Sequence, residues 1–197
     1  MKKTFLALTI LLTLLTTSQI SFAQVANYYG TAESINFNGI DFNLAWSSHP
    51  NANYYKHEYI PKGENSEHFK NMLMLDFIKG DFKLKDAVQL QIDKIQERKK
   101  TDAVANYDLV ESPDGKEFIL DFLMSTTKDN KVNLVEWSAY HYKSYTDKAG
   151  HTGVLLFAIS HRAYDNDVDT FLKSLTEYRM ENRKALIKFP MPEIQIK

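Results

Sequence analysis

The chain has 197 residues, 24 of them basic and 25 acidic, for a formal net charge of −1; that balance excludes the strong positive excess that long-range attraction to nucleic acid requires. It contains no cysteine, which removes a disulfide scaffold, a thiolate nucleophile and every cysteine-based zinc site. The seven glycines form no phosphate-cradling loop, so no nucleotide is called for and no cofactor is expected.

Residues 1–23 read as a cleavable secretory signal. Lys2 and Lys3 give the basic start, an apolar run extends from Phe5 to Leu15, and the small residues Ser21 and Ala23 flank Phe22. That run of eleven residues is short of the ~20 needed to cross a bilayer core, so cleavage after Ala23 is expected rather than a retained span. The mature chain of 174 residues then carries 22 basic against 25 acidic groups and has no thiol for a lipid anchor. The expected destination is the periplasm or the medium.

Gln24 to Ser34 is polar and without period, and reads as a flexible lead-in to a single domain over residues 35–197. Alternation starts at Ile35 and Phe37 and continues through Ile40, Phe42, Leu44 and Trp46. Between the two runs lies Asn38-Gly39, a dipeptide that accepts positive φ in a tight hairpin turn. Tyr54 to Ile60 forms a further strand, stopped by Pro61 and Gly63. The stretch from Glu67 to Lys79 reads either as one helix or as a short helix leading into a strand over Met72 to Ile78, and the second is preferred. Leu84, Val88, Ile92, Ile95 and Lys99 step by three and four, the period of an amphipathic helix ending near Lys100. Its basic end, Arg98 to Lys100, complements the helix dipole and needs no binding role.

From Tyr107 the period returns to two, with Phe118, Leu120, Phe122 and Met124 on one face, then Val135, Trp137 and Ala139, then Leu155, Phe157 and Ile159. Short links at Pro113-Asp114-Gly115, Lys128 to Asn130 and Asp147 to Gly150 imply four consecutive antiparallel strands. A long helix closes the chain from about Asp167 to Lys188, with Asn166 or Asp167 as amino-end cap. Its apolar stripe comprises Val168, Phe171, Leu172, Leu175, Tyr178 and Leu186. The expected fold class is α+β: an antiparallel sheet with one apolar face, covered on that face by two amphipathic helices in a two-layer arrangement.

The turn written EYIPKGE, the middle helix, the meander and a closing helix that opens with DTFLKSL together resemble the exported PsbP-like domains, a group that includes the bacterial DcrB-type envelope proteins. The resemblance implies a two-layer PsbP-like fold and an accessory role in an envelope or lumen. It implies no active site and carries over no functional residue, since a fold does not fix a function.

Chemistry has to be sought among the histidines, carboxylates and tyrosines. His57-Glu58 and His68 flank the turn at Pro61, but no motif has metal-site spacing and no metal is expected. His161 continues the alternation of Leu155, Phe157 and Ile159 and so ends the last strand on the buried face. Arg162 points the other way, and the hairpin around Gly150 can set Glu136 across from it. Glu136, His141 and His161 are the acid–base candidates if the protein is a small hydrolase. Ser160 and His161 are strand neighbours and face opposite ways, which argues against a catalytic pair, and Asp121 with Glu136 is the one carboxylate pair weighed for glycoside chemistry. Tyr140 and Tyr142 fall opposite the expected helix-covered face, where they form an aromatic strip open to a partner; with Arg162 they are the candidate binding residues. The leading reading is an exported, non-catalytic accessory or binding protein with an envelope or extracellular partner. The hydrolase is the alternative, and a purely structural secreted fold is the third possibility.

Overall fold

The computed structural model describes residues 25–196; the expected signal lies outside the described residues. Strands β1 (Ser34–Phe37) and β2 (Ile40–Asn51) form a hairpin. At its turn Asn38 and Gly39 take φ of 50° and 81°, the left-handed pair that a two-residue turn between twisted strands requires. Next come β3 (Tyr54–Pro61), β4 (Asn71–Lys79), helix α1 (Leu84–Lys99), β5 (Asn106–Glu111), β6 (Glu117–Lys128), β7 (Lys131–Thr146) and β8 (Thr152–Tyr164). A 3-10 turn at Asp165–Asp167 leads into α2 (Val168–Lys188). The strands form one antiparallel sheet in the order β1-β2-β3-β4-β8-β7-β6-β5. It consists of two four-stranded meanders joined at the centre by pairing of β4 with β8.

That order dictates the path of α1. The chain leaves β4 near the sheet centre and re-enters at β5 on the far edge, four strand spacings or about 19 Å away. A 16-residue helix is about 24 Å long, enough to cross. α1 therefore runs over one face, and its Leu84, Val88, Ile92 and Ile95 pack with Phe118, Leu120, Phe122, Tyr142 and Leu156. On the other face Val168, Phe171 and Leu186 of α2 pack with Val135, Trp137, Ala139, Leu155, Phe157 and Ile159.

The two helices thus cover opposite faces, and the expected two-layer arrangement is corrected to three layers. Register explains the difference. Phe122 lies beside Ser138 and Leu123 beside Trp137, so the Phe118-Leu120-Phe122 row and the Trp137 row face opposite ways. In β8, Val154 to Ile159 is buried without interruption, the continuous apolar run of a strand covered on both sides rather than an alternating one.

Two further expectations are corrected. The stretch expected to lead in flexibly is packed: Tyr29 is 1% exposed, its hydroxyl donates to the Leu75 carbonyl at 3.1 Å, and its own carbonyl accepts from Gln195 at 2.9 Å. The packed unit therefore begins before residue 35. No short helix precedes β4. The loop is closed instead by Glu64, whose carboxylate accepts from the N–H groups of Lys70 and Asn71. α2 starts at the expected place, but Asp167 makes no side-chain cap, and Leu172 is 39% exposed beside buried Phe171. β2 is longer than expected, running on from Trp46 to Asn51 through a polar stretch that pairs with β3; the other strands and α1 match the expected spans to within a residue or two at most ends.

Candidate functional site

α1 is narrower than the sheet it covers. It rests on β5, β6 and β7, and beside it the same face of β3, β4 and β8 stays open. The result is a cleft of about 430 Å³, a size suited to a small organic molecule. Its floor is Met74, Ile78, Val154 and Leu156; one wall is Ala87, Leu90 and Gln91 of α1. Leu90 and Phe82 stand at the mouth 64% and 50% exposed, large apolar side chains with their open surface against the cleft. Gly80 helps to set Phe82: with φ of 146° it accepts a backbone that other residues avoid, and a Cβ there would lie 2.5 Å from the Phe82 ring.

The polar groups are few and convergent. Asp76 of β4 points into the cleft between Tyr54 of β3 and the β7 tyrosines. The Tyr54 hydroxyl donates to Asp76 Oδ2 at 2.7 Å. Asp76 Oδ1 is buried and has no hydrogen-bond partner, although a buried carboxylate oxygen ordinarily finds one. Lys56 lies on β3 directly across from Asp76, and its ammonium pairs with Glu58 at 2.8 Å. Burial pushes the Asp76 carboxyl up to about 6, against the lowering influence of Lys56. Burial and the adjacent Asp76 charge also raise the hydroxyls of Tyr54 and Tyr142, so both are protonated donors at neutral pH.

Tyr140 and Tyr142 are therefore not an open strip on an uncovered face. They line this cleft beneath α1, with ring centroids 6.1 Å apart and Phe122 edge-on to Tyr140 at 4.9 Å. Sequence reasoning found these two tyrosines and missed Asp76, Phe82 and Leu90. The available signal for Asp76 was a charge inside the apolar run MLMLDFIK, where a carboxylate is out of place without a local reason.

Glu136 and Arg162 sit directly across from each other, as the hairpin register anticipated, and their side chains are bonded. They border a shallow hollow of about 260 Å³ on the α1 face, away from the tyrosines. The Arg162 guanidinium also covers the Phe69 ring at 4.1 Å, and Arg98 across the hollow is engaged by Asp102 at 3.5 Å and by the Ser125 carbonyl. Both arginines are thus already paired.

His141 and His161 lie on the α2 face, so the sheet separates them from Glu136. His161 sits beside Trp137 and His141 beside Phe157, four residues or about 13 Å apart along the strand. The His161 ring stacks on Phe171 and Tyr178, with centroids 5.0 and 4.1 Å away. Its Nδ1–H donates to the Lys70 carbonyl and to Asn71 Oδ1, and burial lowers its pKa. His141 Nε2 lies 2.8 Å from Glu117. Asp121 is held by Arg179 and Arg183 of α2 at 2.8 and 3.0 Å, on the opposite face from Glu136. His57 is buried on the α2 face while His68 stacks on Tyr164 at 4.0 Å, so the two do not converge.

One antiparallel sheet between two helices, with a ligand-sized cleft under one of them, defines an α+β protein with a built pocket. A protein-family model matches residues 29–191, starting at the buried Tyr29, and the chain belongs to that family. No curated protein and no solved structure matches the chain. Among the described residues no helix is long and apolar enough to cross a membrane.

Proposed function

We propose that this is an exported, non-catalytic binding protein, an accessory of the cell envelope, and that the cleft beneath α1 holds its ligand. The observation that carries the reading is the cleft itself: an apolar floor and mouth around a single buried carboxylate oxygen that no protein group satisfies. Export is supported by the basic start, apolar run and small residues of 1–23. The PsbP-like and DcrB-type resemblance points to the same accessory role. The acid–base candidates Glu136, His141 and His161 are spread over two faces of the sheet, which favours binding over hydrolysis.

The test is the neutral apolar reporter N-phenyl-1-naphthylamine, whose fluorescence rises on leaving water. Wild-type protein is expected to bind it. Ala87→Phe, which fills the α1 wall, is expected to weaken binding by tenfold or more while the circular dichroism spectrum is retained. A reporter that does not bind, or that binds wild type and Ala87→Phe alike, removes the cleft as the site.

A further inference from the structure

The identity of the ligand's polar end can be read from what the cleft leaves unmet. Asp76 has two oxygens; Tyr54 supplies a donor to one, and the other has none. Lys56 is the nearest protein cation, but it is committed to Glu58 at 2.8 Å and lies over the Trp46 ring at 5.7 Å. The remaining charged groups facing the cleft are Asp86 and Lys94 on α1, one of each sign, with none from β8. Lys56 faces Asp76 across the strands but makes no ion pair with it, so Asp76 Oδ1 is the unmet acceptor at the cleft floor. The hydroxyls of Tyr140 and Tyr142 make no hydrogen bond to protein among the described residues, and their rings and that of Tyr54 line the space around the carboxylate. A carboxylate within tyrosine rings favours a cation, by charge and by attraction to the ring faces, and repels an anion.

Resting on the cleft as the binding site, we propose that its ligand is a cationic amphipath: an organic ammonium whose N–H donates to Asp76 Oδ1 and whose apolar body lies along Met74, Leu156, Leu90 and Phe82. The ammonium replaces the missing donor, and the apolar body covers the exposed mouth. An acid-sensitive grip follows. Below about pH 6 the Asp76 carboxyl takes up a proton and the ion pair is lost, while an alkylammonium with a pKa of ~10 stays charged. Tyr54, Tyr140 and Tyr142, raised by burial, stay protonated throughout this range.

The experiment is displacement of N-phenyl-1-naphthylamine from the purified protein at pH 7.5 by n-octylammonium, n-octanol and octanoate. Octylammonium is expected to displace it at concentrations about tenfold or more below octanol, with octanoate weakest. Asp76→Asn is expected to bring octylammonium to the level of octanol without changing octanol. In wild type, lowering the pH to 5 is expected to weaken octylammonium about tenfold and leave octanol alone; this arm needs no variant to fold. Equal potency of octanol and octylammonium, or an ammonium preference that survives in Asp76→Asn, overturns the assignment while reporter binding keeps the cleft. Failure of the reporter itself overturns both.

Discussion

Burial lifts the Asp76 carboxyl to about 6 from its ordinary 3.8, so its charge works against the fold at neutral pH. The native state holds the proton between about pH 4 and 6 where the unfolded chain has released it, so this group's contribution to stability falls as pH rises through that window. Asp76→Asn is therefore expected to be more stable than wild type at pH 7 by up to about 2–3 kcal/mol, with the difference shrinking toward pH 4. Urea denaturation of both proteins at pH 4.5 and 7 checks it, since groups common to the two cancel. His57 has the opposite sense. The Tyr28 N–H donates to its Nε2 at 3.1 Å, so Nδ1 carries the proton and donates to the Tyr59 hydroxyl at 3.2 Å, which shares a further hydrogen bond with the Thr31 hydroxyl at 2.9 Å. Burial lowers His57 to about 4; the unfolded chain binds the proton first, and stability is lost as pH falls from about 6.5 toward 4. His57→Ala is expected to cost about 2–4 kcal/mol, through a cavity and an orphaned Tyr28 N–H, measured by the same denaturation at pH 7. The role of His57 was not legible in the sequence, because Tyr28 and Thr31 of its network lie in a segment without period, whereas Asp76 left a trace as a charge inside an apolar run.

At the scale of elements, periodicity located most strands and both long helices because each depends on local spacing. It failed where two alternations were superimposed. In VLLFAIS of β8 either set of alternate residues makes an apolar face, and only register decides that both are covered. The Glu136–Arg162 pairing was legible because a short turn sets register over a hairpin, whereas pairing of β4 with β8 spans about eighty residues and leaves no local trace. Docking of α2 is secured by Asp121, which is almost wholly buried and shared by Arg179 and Arg183. Asp121→Ala is expected to destabilise by about 1–3 kcal/mol, a range discounted for the partial exposure of both arginines, as read from the urea midpoint. The segment ahead of β1 behaves as part of the core, so Tyr29→Ala is expected to lose about 3–5 kcal/mol; a cost below 1 kcal/mol would mean that the segment is not integral to the fold.

At the scale of the molecule, the three-layer arrangement creates the cleft. A crossover from the sheet centre to its far edge carries α1 over β5 to β7 and leaves the neighbouring strands bare on that face, while α2 and the tails around Tyr29, Ile194 and Ile196 close the other. A two-layer fold with both helices on one side would have left Tyr140 and Tyr142 in open solvent, where they suggest a protein partner. Beneath α1 they line a small-molecule site instead. The most direct measurement is a backbone ¹H–¹⁵N titration with n-octylammonium at pH 7.5. The account predicts saturable shifts at Tyr54, Asp76, Phe82, Leu90, Tyr140 and Tyr142, with His161, Phe171 and Leu186 on the opposite face unmoved. Shifts centred on the α2 face, or none at all, would contradict it.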